Sequence, residues 1–202
     1  MREHMAEQRM RRSGRFGPTT EQIRNELERV RYRRTFANTL RSTIFILIVV
    51  SASAVLIAVL LLPVLRIYGH SMNDTLDEGD VVVSLKGSSF KTGDIIAFYY
   101  NNKLLVKRVI GQPGDWVDID EAGNVYVNQV MLEEPYLDSK AFGETNIELP
   151  YQVPESRIFV LGDNRDVSID SRNTSVGCVA EEQIAGKIVF RVWPIDKMGI
   201  IK

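Results

Sequence analysis

The chain has 202 residues, of which 45% are hydrophobic and 25% charged, a composition ordinary for one globular domain with an appended segment. Its formal net charge of −1 hides an asymmetry, since residues 1–43 hold eleven Arg and five Glu, whereas the remainder holds fourteen Lys and Arg against twenty-one Asp and Glu. The single cysteine, Cys178, excludes an intramolecular disulfide, so an exported domain would depend on its core alone.

Residues 1–43 are predicted to be a basic cytoplasmic segment. Thr19, followed three residues later by Gln22, fits a helix-capping pattern, and Ile23, Leu27 and Val30 recur at helical spacing behind it. The arginines of this segment could hold anionic lipid head groups or could only set membrane topology, and the sequence leaves both interpretations open.

An uncharged apolar run of 19 residues follows at 44–62 and continues to residue 65. At about 1.5 Å per residue, a helix of this length matches a hydrocarbon core of roughly 30 Å. We therefore predict a transmembrane signal anchor over residues 44–65. A buried core helix is usually shorter and keeps a polar stripe, and a cleaved secretory signal has a short basic start, whereas 43 residues precede this run. The arginine-rich flank predicts a single-pass protein of the cell membrane with a cytoplasmic N-terminus and residues 66–202 outside.

Residues 66–202 read as a mainly β domain, because short runs rich in Val, Ile, Tyr and Phe are separated by Gly, Pro, Asn and Asp. Residues 94–100 and 103–110 flank Asn101-Asn102, a pair suited to a tight hairpin. Further strands are predicted at residues 64–68, 80–85, 116–119, 124–127, 157–161 and 188–193. The last of these contains Trp193, which we expect in the core. Residues 132–154 are predicted to be a long loop, and the sequence does not indicate its function.

Strand periodicity places Lys107 on one face with Leu105 and Val109, and Arg108 on the other. Burial among apolar neighbours disfavours the ammonium form of lysine and would turn Lys107 into a base able to accept the proton of Ser71. A solvated strand lysine is an equally open interpretation of the periodicity alone.

Other nucleophile arrangements fit the sequence less well. A Ser-His-Asp triad needs a histidine, and the outer domain has only His70, whose side chain should point away from that of its neighbour Ser71. Cys178 lacks a histidine partner and is predicted to be a small buried hydrophobe. No spacing of His, Cys or carboxylates predicts a metal site.

Three blocks of residues carry a resemblance to a known family. They are Gly69-His70-Ser71-Met72-Asn73-Asp74-Thr75-Leu76, Leu105-Val106-Lys107-Arg108-Val109-Ile110-Gly111-Gln112-Pro113-Gly114-Asp115 and Gly162-Asp163-Asn164-Arg165-Asp166-Val167-Ser168-Ile169-Asp170-Ser171-Arg172. Together, and in this order, they resemble the signatures of bacterial type I signal peptidases, from the anchor to Trp193-Pro194. The resemblance implies a mainly antiparallel β catalytic domain, barrel-like in its sheets, behind one membrane anchor.

The resemblance implies that Ser71 attacks the scissile carbonyl while Lys107 acts as general base and then as acid toward the leaving amine. It also implies that Ser168 hydrogen-bonds and orients Lys107. Ser71 and Met72 form the implied substrate- and oxyanion-binding positions, with the Ser71 backbone N–H as one oxyanion donor. No cofactor is required.

Supporting ion pairs are implied between Asp163 and Arg108 and between Asp170 and Arg172. Without the resemblance, these residues are a structural set of ion pairs that holds the site without reacting.

Two positions depart from the family pattern. Some relatives place a serine two residues before the nucleophile as a second oxyanion donor, and this chain has Gly69 there. The family usually has proline where this chain has Asp74, whose side chain we hypothesise to cap the local turn. A carboxylate near Lys107 would instead raise its pKa and hinder catalysis. Unchanged stability and activity in Asp74→Pro would count against a capping role.

The implied substrates are signal peptides of exported preproteins, bound as an added strand and cut after small residues at the −1 and −3 positions. The lipid bilayer is a further expected partner, the secretion translocon a candidate, and no nucleic acid is expected. A self-cleaving Ser-Lys repressor is disfavoured by the anchor. An inactive relative that binds signal peptides or secretion partners stays as the alternative, because of Asp74.

Overall fold

The computed structural model describes residues 18–73, 75–87 and 89–201. Its contacts divide the chain into two compact units, Met1–Leu56 and Ile57–Lys202. The capping hypothesis for Asp74 lies outside the described residues.

A single continuous helix, α1, runs over Thr20–Leu61. The Thr19 backbone N–H donates to Gln22 Oε1 at 3.0 Å, which confirms the predicted capping pattern. α1 is long and apolar enough to cross a membrane, and no residue along it is buried by protein. The helix ends near Pro63, and Val64 and Leu65, predicted as the end of the anchor, lie in a strand instead.

The rest of the described chain is mainly β, as predicted, and every strand pairing in it is antiparallel. The strands are β1 Val64–Arg66, β2 Val81–Leu85, β3 Ile95–Tyr100, β4 Lys103–Gly111, β5 Trp116–Ile119, β6 Val125–Val127, β7 Val130–Met131, β8 Tyr151–Gln152, β9 Arg157–Leu161, β10 Val179–Ala180, β11 Ile184–Trp193 and β12 Gly199–Ile200. Two single 3-10 turns, Glu181–Gln183 and Ile195–Lys197, flank β11.

The strands form two sheets. The larger has the order β1-β2-β11-β3-β4-β9-β10, with β12 added to β11, and the smaller has the order β7-β6-β5-β8. The predicted hairpin is confirmed, since β3 and β4 pair and Asn101 and Asn102 have φ of 44° and 61°. This hairpin sets the register of β4, the strand that carries Lys107 and Arg108.

Three buried clusters of apolar side chains form the core. One lies against the smaller sheet and includes Phe159 and Cys178, so the prediction of a buried Cys178 is confirmed. Another joins Ile67 and Met72 to Leu76, and it anchors the segment around Ser71. The burial of both flanks fixes that segment against β2 and β11.

Most predicted strands lie within two residues of their predicted ends, but β7, β8, β10 and β12 were not predicted. Each has only two residues, too few for a periodic pattern. The expectation that Trp193 lies in the core is wrong, because its side chain is 53% exposed at the end of β11. The apolar run of β11 continues past the point where the sheet covers it.

Candidate active site

Ser71 lies in a turn between β1 and β2. Its carbonyl accepts the Asn164 backbone N–H at 3.1 Å, which ties this turn to the third sequence block. Met72 beside it has a side chain that is only 2% exposed and packs in the core, so its backbone alone is available near Ser71. Gly69 has a φ of 82°, a left-handed conformation that favours glycine, and this gives a backbone reason for the departure from serine there.

Lys107 reaches Ser71 from β4. Lys107 Nζ lies 2.5 Å from Ser71 Oγ, although the two residues are 36 positions apart in the chain. The lysine is 3% exposed, so the solvated strand lysine that the periodicity left open is excluded. An ammonium would donate a hydrogen bond to the hydroxyl, and a neutral amine would accept one from it.

The surroundings of Lys107 make its neutral amine easier to form. Burial lowers the pKa of Lys107 from 10.5 to about 8, and the positive charge of Arg172 acts in the same direction. The charges of Asp170 and Asp163 oppose this shift and raise the pKa. Since desolvation outweighs both carboxylates, Lys107 loses its proton at lower pH than an ordinary lysine.

Arg108, the next residue along β4, points to the opposite side and is paired. Its Nε and Nη2 atoms donate to the two oxygens of Asp163 at 2.9 and 2.7 Å, and Nη1 donates to the Gly93 carbonyl at 2.7 Å. Thr75 Oγ1 donates to Asp163 at 2.5 Å and accepts from Arg108 at 3.2 Å. The guanidinium also lies 3.7 Å from the centroid of the Tyr136 ring. The first ion pair implied by the resemblance is thus formed.

The second implied pair is formed as well. Arg172 donates through Nε and Nη2 to Asp170, each at 2.9 Å, and both side chains are fully buried. Asp170 also accepts the Gly162 backbone N–H at 3.0 Å, and Arg172 donates to the carbonyl of Arg165. This pair therefore holds the backbone of the loop that faces Ser71.

Ser168 does not orient Lys107 through a hydrogen bond in this structure. Its side chain is 2% exposed, and among the described residues its Oγ has no hydrogen-bond partner. The bond implied by the resemblance is not formed, and the described contact of Lys107 Nζ is with Ser71. Ser168 Oγ nevertheless lies beside Gly162, where an added Cβ would contact both this oxygen and the Ser71 carbonyl.

Sequence reasoning missed a third buried ion pair. Glu134 pairs with Arg165, and Tyr136 donates to Glu134 at 2.8 Å. Arg165 Nε donates to the Gly162 carbonyl at 3.0 Å, so the peptide groups of Gly162 are bound on both sides. Glu134 and Tyr136 belong to the predicted long loop at 132–154. Nothing local in the sequence indicates that Glu134 contacts Arg165, 31 positions later.

The other candidates examined in the sequence lie away from this chemistry. His70 Nε2 lies 3.2 Å from Glu78, and both side chains are at least half exposed. Burial raises the pKa of the Cys178 thiol to about 11, which keeps it protonated. Within the described part of the chain, no group of three His, Cys, Asp or Glu side chains could hold a metal ion.

A cleft of about 450 Å³ opens beside Ser71. Its walls come from two stretches of chain, residues 65–72 and 103–106. β1 pairs only with β2, and β9 pairs with β4 only from Arg108 onward, so each wall has one side without a strand partner among the described strands. An extended peptide could therefore form backbone hydrogen bonds in the cleft.

A family model described as "Signal peptidase, peptidase S26" matches residues 38–193. The chain belongs to the signal peptidase S26 family. The match begins within α1 and includes every strand that contributes to the site. It supports a peptidase that acts on signal peptides.

Individual relatives agree with the family model. Signal peptidase IB of Staphylococcus aureus strain COL is 38% identical over 151 residues, which cover 65% of this chain and 78% of that protein. Thylakoidal processing peptidase 1, chloroplastic, of Arabidopsis thaliana is 36% identical over 146 residues, which cover 64% of this chain but only 41% of the plant protein. A crystal structure of a signal peptidase I from Enterococcus faecalis V583 matches with 32% identity and a TM-score of 0.43, covering 49% of this chain and 96% of that one.

Proposed function

We propose that the chain is a membrane-bound serine endopeptidase that removes N-terminal signal peptides from exported preproteins, with Ser71 as nucleophile and Lys107 as general base. The observation that carries this proposal is the 2.5 Å separation of Lys107 Nζ and Ser71 Oγ, combined with the burial of the lysine. A serine hydroxyl is a weak nucleophile until a neighbouring base takes its proton.

In the first step, neutral Lys107 accepts the Ser71 proton while Oγ attacks the scissile carbonyl carbon. The carbonyl oxygen becomes an oxyanion, for which the Ser71 backbone N–H is the expected donor. Collapse of the tetrahedral species breaks the C–N bond, and the Lys107 ammonium gives its proton to the leaving amine. The same lysine then deprotonates the water that hydrolyses the acyl ester.

The carboxylates of Asp163 and Asp170 stabilise the positive charge that Lys107 gains when it accepts the Ser71 proton. Proton transfer turns Lys107 into a cation, and Asp163 and Asp170 favour that cation without touching it. They oppose the pKa shift enough for the ammonium to form, whereas burial keeps the resting lysine easy to deprotonate. Arg108 and Arg172 bind these carboxylates and hold them in fixed positions.

The cleft supports an extended substrate with small residues before the cut. Its apolar walls lie directly beside Ser71, and the unpaired sides of β1 and β4 leave room for an added strand. Shallow apolar walls would accept alanine at the −1 and −3 positions and exclude larger side chains. Selection by two small side chains and the peptide backbone suits a family of unrelated preprotein sequences.

The long apolar helix supports attachment to the cell membrane by one span. Between Ile44 and Leu62 the large apolar side chains are at least 40% exposed, and lipid would cover them at no cost in protein packing. The arginine-rich flank favours a cytoplasmic N-terminus and an extracytoplasmic catalytic domain. The proposed partners are the signal peptides, the bilayer and the secretion translocon.

The test is cleavage of a preprotein with alanine at −1 and −3 by the full chain in detergent over a pH series. We expect Ser71→Ala and Lys107→Ala each to lower kcat/KM by roughly a thousandfold or more. The wild-type rate should rise with an apparent pKa near 8, the value for Lys107. Lys91→Ala, a matched change of an exposed lysine outside the cleft, should leave the rate within twofold.

Two outcomes would contradict the proposal. Full activity in Lys107→Ala would remove the lysine from the mechanism. Absence of wild-type cleavage by a folded chain that still binds the peptide would favour the alternative, a non-catalytic module that binds signal peptides or secretion partners.

A further inference from the structure

The lining of the cleft beside Ser71 is partly apolar and partly cationic. Its apolar residues include Leu65, Ile67 and Val106. Arg66 and Lys103 also line it, and both are exposed. Cations therefore lie next to apolar side chains along the strands that form the walls.

Lys103 lies on the substrate side of β4. It is four residues before Lys107 on the same strand, so the two lysines share a face. At about 3.3 Å per residue, their Cα atoms are roughly 13 Å apart along the strand. A peptide extended beside β4 has the same rise, and its residue opposite Lys103 would lie about four positions from the scissile bond.

Arg66 lines the cleft from β1. Leu65 is half-buried and Ile67 is buried in the core, so the alternation of the strand turns Arg66 away from the core. The guanidinium carbon lies 5.8 Å from the centroid of the Tyr68 ring, and both side chains are exposed. The donors of Arg66 are therefore accessible to a carboxylate of a bound peptide.

The positive charge of Arg66 and Lys103 is not balanced within the cleft. The cationic lining residues are Arg66 and Lys103, and no Asp or Glu is among the residues that line the cleft. In the part of the chain that the structure describes, neither cation forms an ion pair. This contrasts with the fully buried arginines behind Ser71, each of which holds a carboxylate.

We propose that Arg66 and Lys103 form an acid-selective subsite, which favours signal peptides that carry Asp or Glu about four to six residues before the cut. The inference rests on the proposed function, which places the −1 and −3 residues in this cleft. Because Lys103 lies four residues from Lys107 along β4, it would face an earlier residue of the same extended peptide. Because both cations are exposed, each is expected to contribute only about two- to fivefold to selection.

The experiment compares matched peptides that differ only by Asp or Asn at one position, moved stepwise from −3 to −8. Cleavage by the full wild-type chain in neutral detergent gives a ratio of kcat/KM for each pair, so differences in absolute activity cancel. The variants are Arg66→Glu with Lys103→Glu, and, as a charge-matched control, Lys86→Glu with Lys91→Glu, both exposed and outside the cleft. Binding of the same peptides to Ser71→Ala is measured in parallel by fluorescence anisotropy.

We expect an Asp/Asn ratio of roughly 3 to 10 at one or two positions between −4 and −6, falling toward 1 in high salt. The ratio should drop below 1 in the Arg66→Glu, Lys103→Glu variant and persist in the control. Cleavage with a ratio of 1 at every position, or a ratio that survives the charge reversal, would overturn the inference while leaving the proposed function intact.

The binding arm separates the two proposals. Asp-selective binding to Ser71→Ala, without cleavage by wild type, would support the subsite and refute the peptidase. A ratio of 1 in both arms, together with loss of affinity of the reversed variant for vesicles of anionic phospholipid, would assign the two cations to lipid head groups instead and overturn the subsite.

Discussion

Two neighbouring residues of β4, Lys107 and Arg108, are buried to nearly the same extent but serve opposite purposes. Their side chains are 3% and 1% exposed, and they leave the strand on opposite faces. Lys107 contacts a hydroxyl and no carboxylate, whereas Arg108 forms two hydrogen bonds with the carboxylate of Asp163. Burial without a contacting carboxylate lowers the pKa of the lysine, whereas the buried guanidinium is paired with Asp163.

The two side chains show how one strand can carry both the proposed base and a residue that supports the site. A guanidinium stays protonated at any physiological pH and binds a carboxylate through two donors, so it suits a structural ion pair. An amine responds to desolvation and becomes a base. The pairs Arg172–Asp170 and Arg165–Glu134 extend the structural side, and all three lie around Gly162 and the Ser71 turn.

The largest loss of stability should come from breaking the buried ion pair between Arg108 and Asp163. Asp163→Asn removes the charge that pairs with buried Arg108, and we expect the free energy of unfolding to fall by about 3 to 5 kcal/mol. Urea unfolding of the full chain in detergent, followed by tryptophan fluorescence, measures this loss. In the double variant with Arg108→Met, the loss should be smaller than the sum of the two single losses. Additive losses would show that the pair is not coupled.

Asp163→Asn should also change the pKa of Lys107 and with it the pH dependence of activity. Asp163 raises the pKa of Lys107, so Asp163→Asn should lower that pKa below about 8 and move the rising limb of the pH–rate profile to lower pH. Arg172 lowers the pKa, and its removal should act in the opposite direction. A profile unmoved in Asp163→Asn would contradict the electrostatic account.

Lys107→Met should stabilise the protein by up to about 3 kcal/mol at pH 7. The wild-type lysine has a pKa of about 8 when folded and 10.5 when unfolded, and each pKa unit corresponds to about 1.4 kcal/mol. Between these values the unfolded chain binds more protons, so wild-type stability rises with pH across this window. The cost of burying the ammonium is full below pH 8 and gone above pH 10.5.

Unfolding of wild type and Lys107→Met at pH 7 and at pH 10 checks this expectation, because other titrating groups cancel in the difference. The advantage of the variant should shrink at the higher pH. A constant advantage would mean that its origin is packing and not the charge of Lys107.

Gly162 lies where the loop of the buried ion pairs meets the Ser71 turn. Gly162→Ala should lower the free energy of unfolding by about 1 to 3 kcal/mol and should also lower kcat. The added methyl group would contact Ser168 Oγ and the Ser71 carbonyl, so the loop or the nucleophile turn must move. Gly199→Ala is the matched control, since a Cβ there meets nothing within 4 Å. Equal effects of the two substitutions on activity would contradict a role for close packing at Gly162.

The smallest effect is expected at His70, next to Ser71 in sequence. Its contact with Glu78 is exposed, and such pairs contribute roughly 0 to 1 kcal/mol. His70→Ala should change stability by less than about 0.5 kcal/mol and leave kcat/KM within twofold. A loss of activity comparable to that of Lys107→Ala would make the histidine the base and reverse the comparison.

The local features of this protein can be predicted from its sequence. The apolar run, the Thr19–Gln22 cap, the Asn101–Asn102 hairpin and the longer strands follow from patterns that repeat every two to four residues. Three specific blocks, through their resemblance to signal peptidases, also named Ser71, Lys107 and both implied ion pairs. Short strands with two residues carry no such pattern and were missed.

Features that depend on residues far apart in the chain follow from the packing of the elements against one another. The burial that lowers the pKa of Lys107 requires the Ser71 turn and β4 to pack together, and periodicity alone left a solvated lysine open. The Glu134–Arg165 pair, the unbonded Ser168 hydroxyl and the exposed Trp193 likewise depend on which elements cover which. Local pattern fixes which side of a strand a residue faces, but packing decides what it meets there.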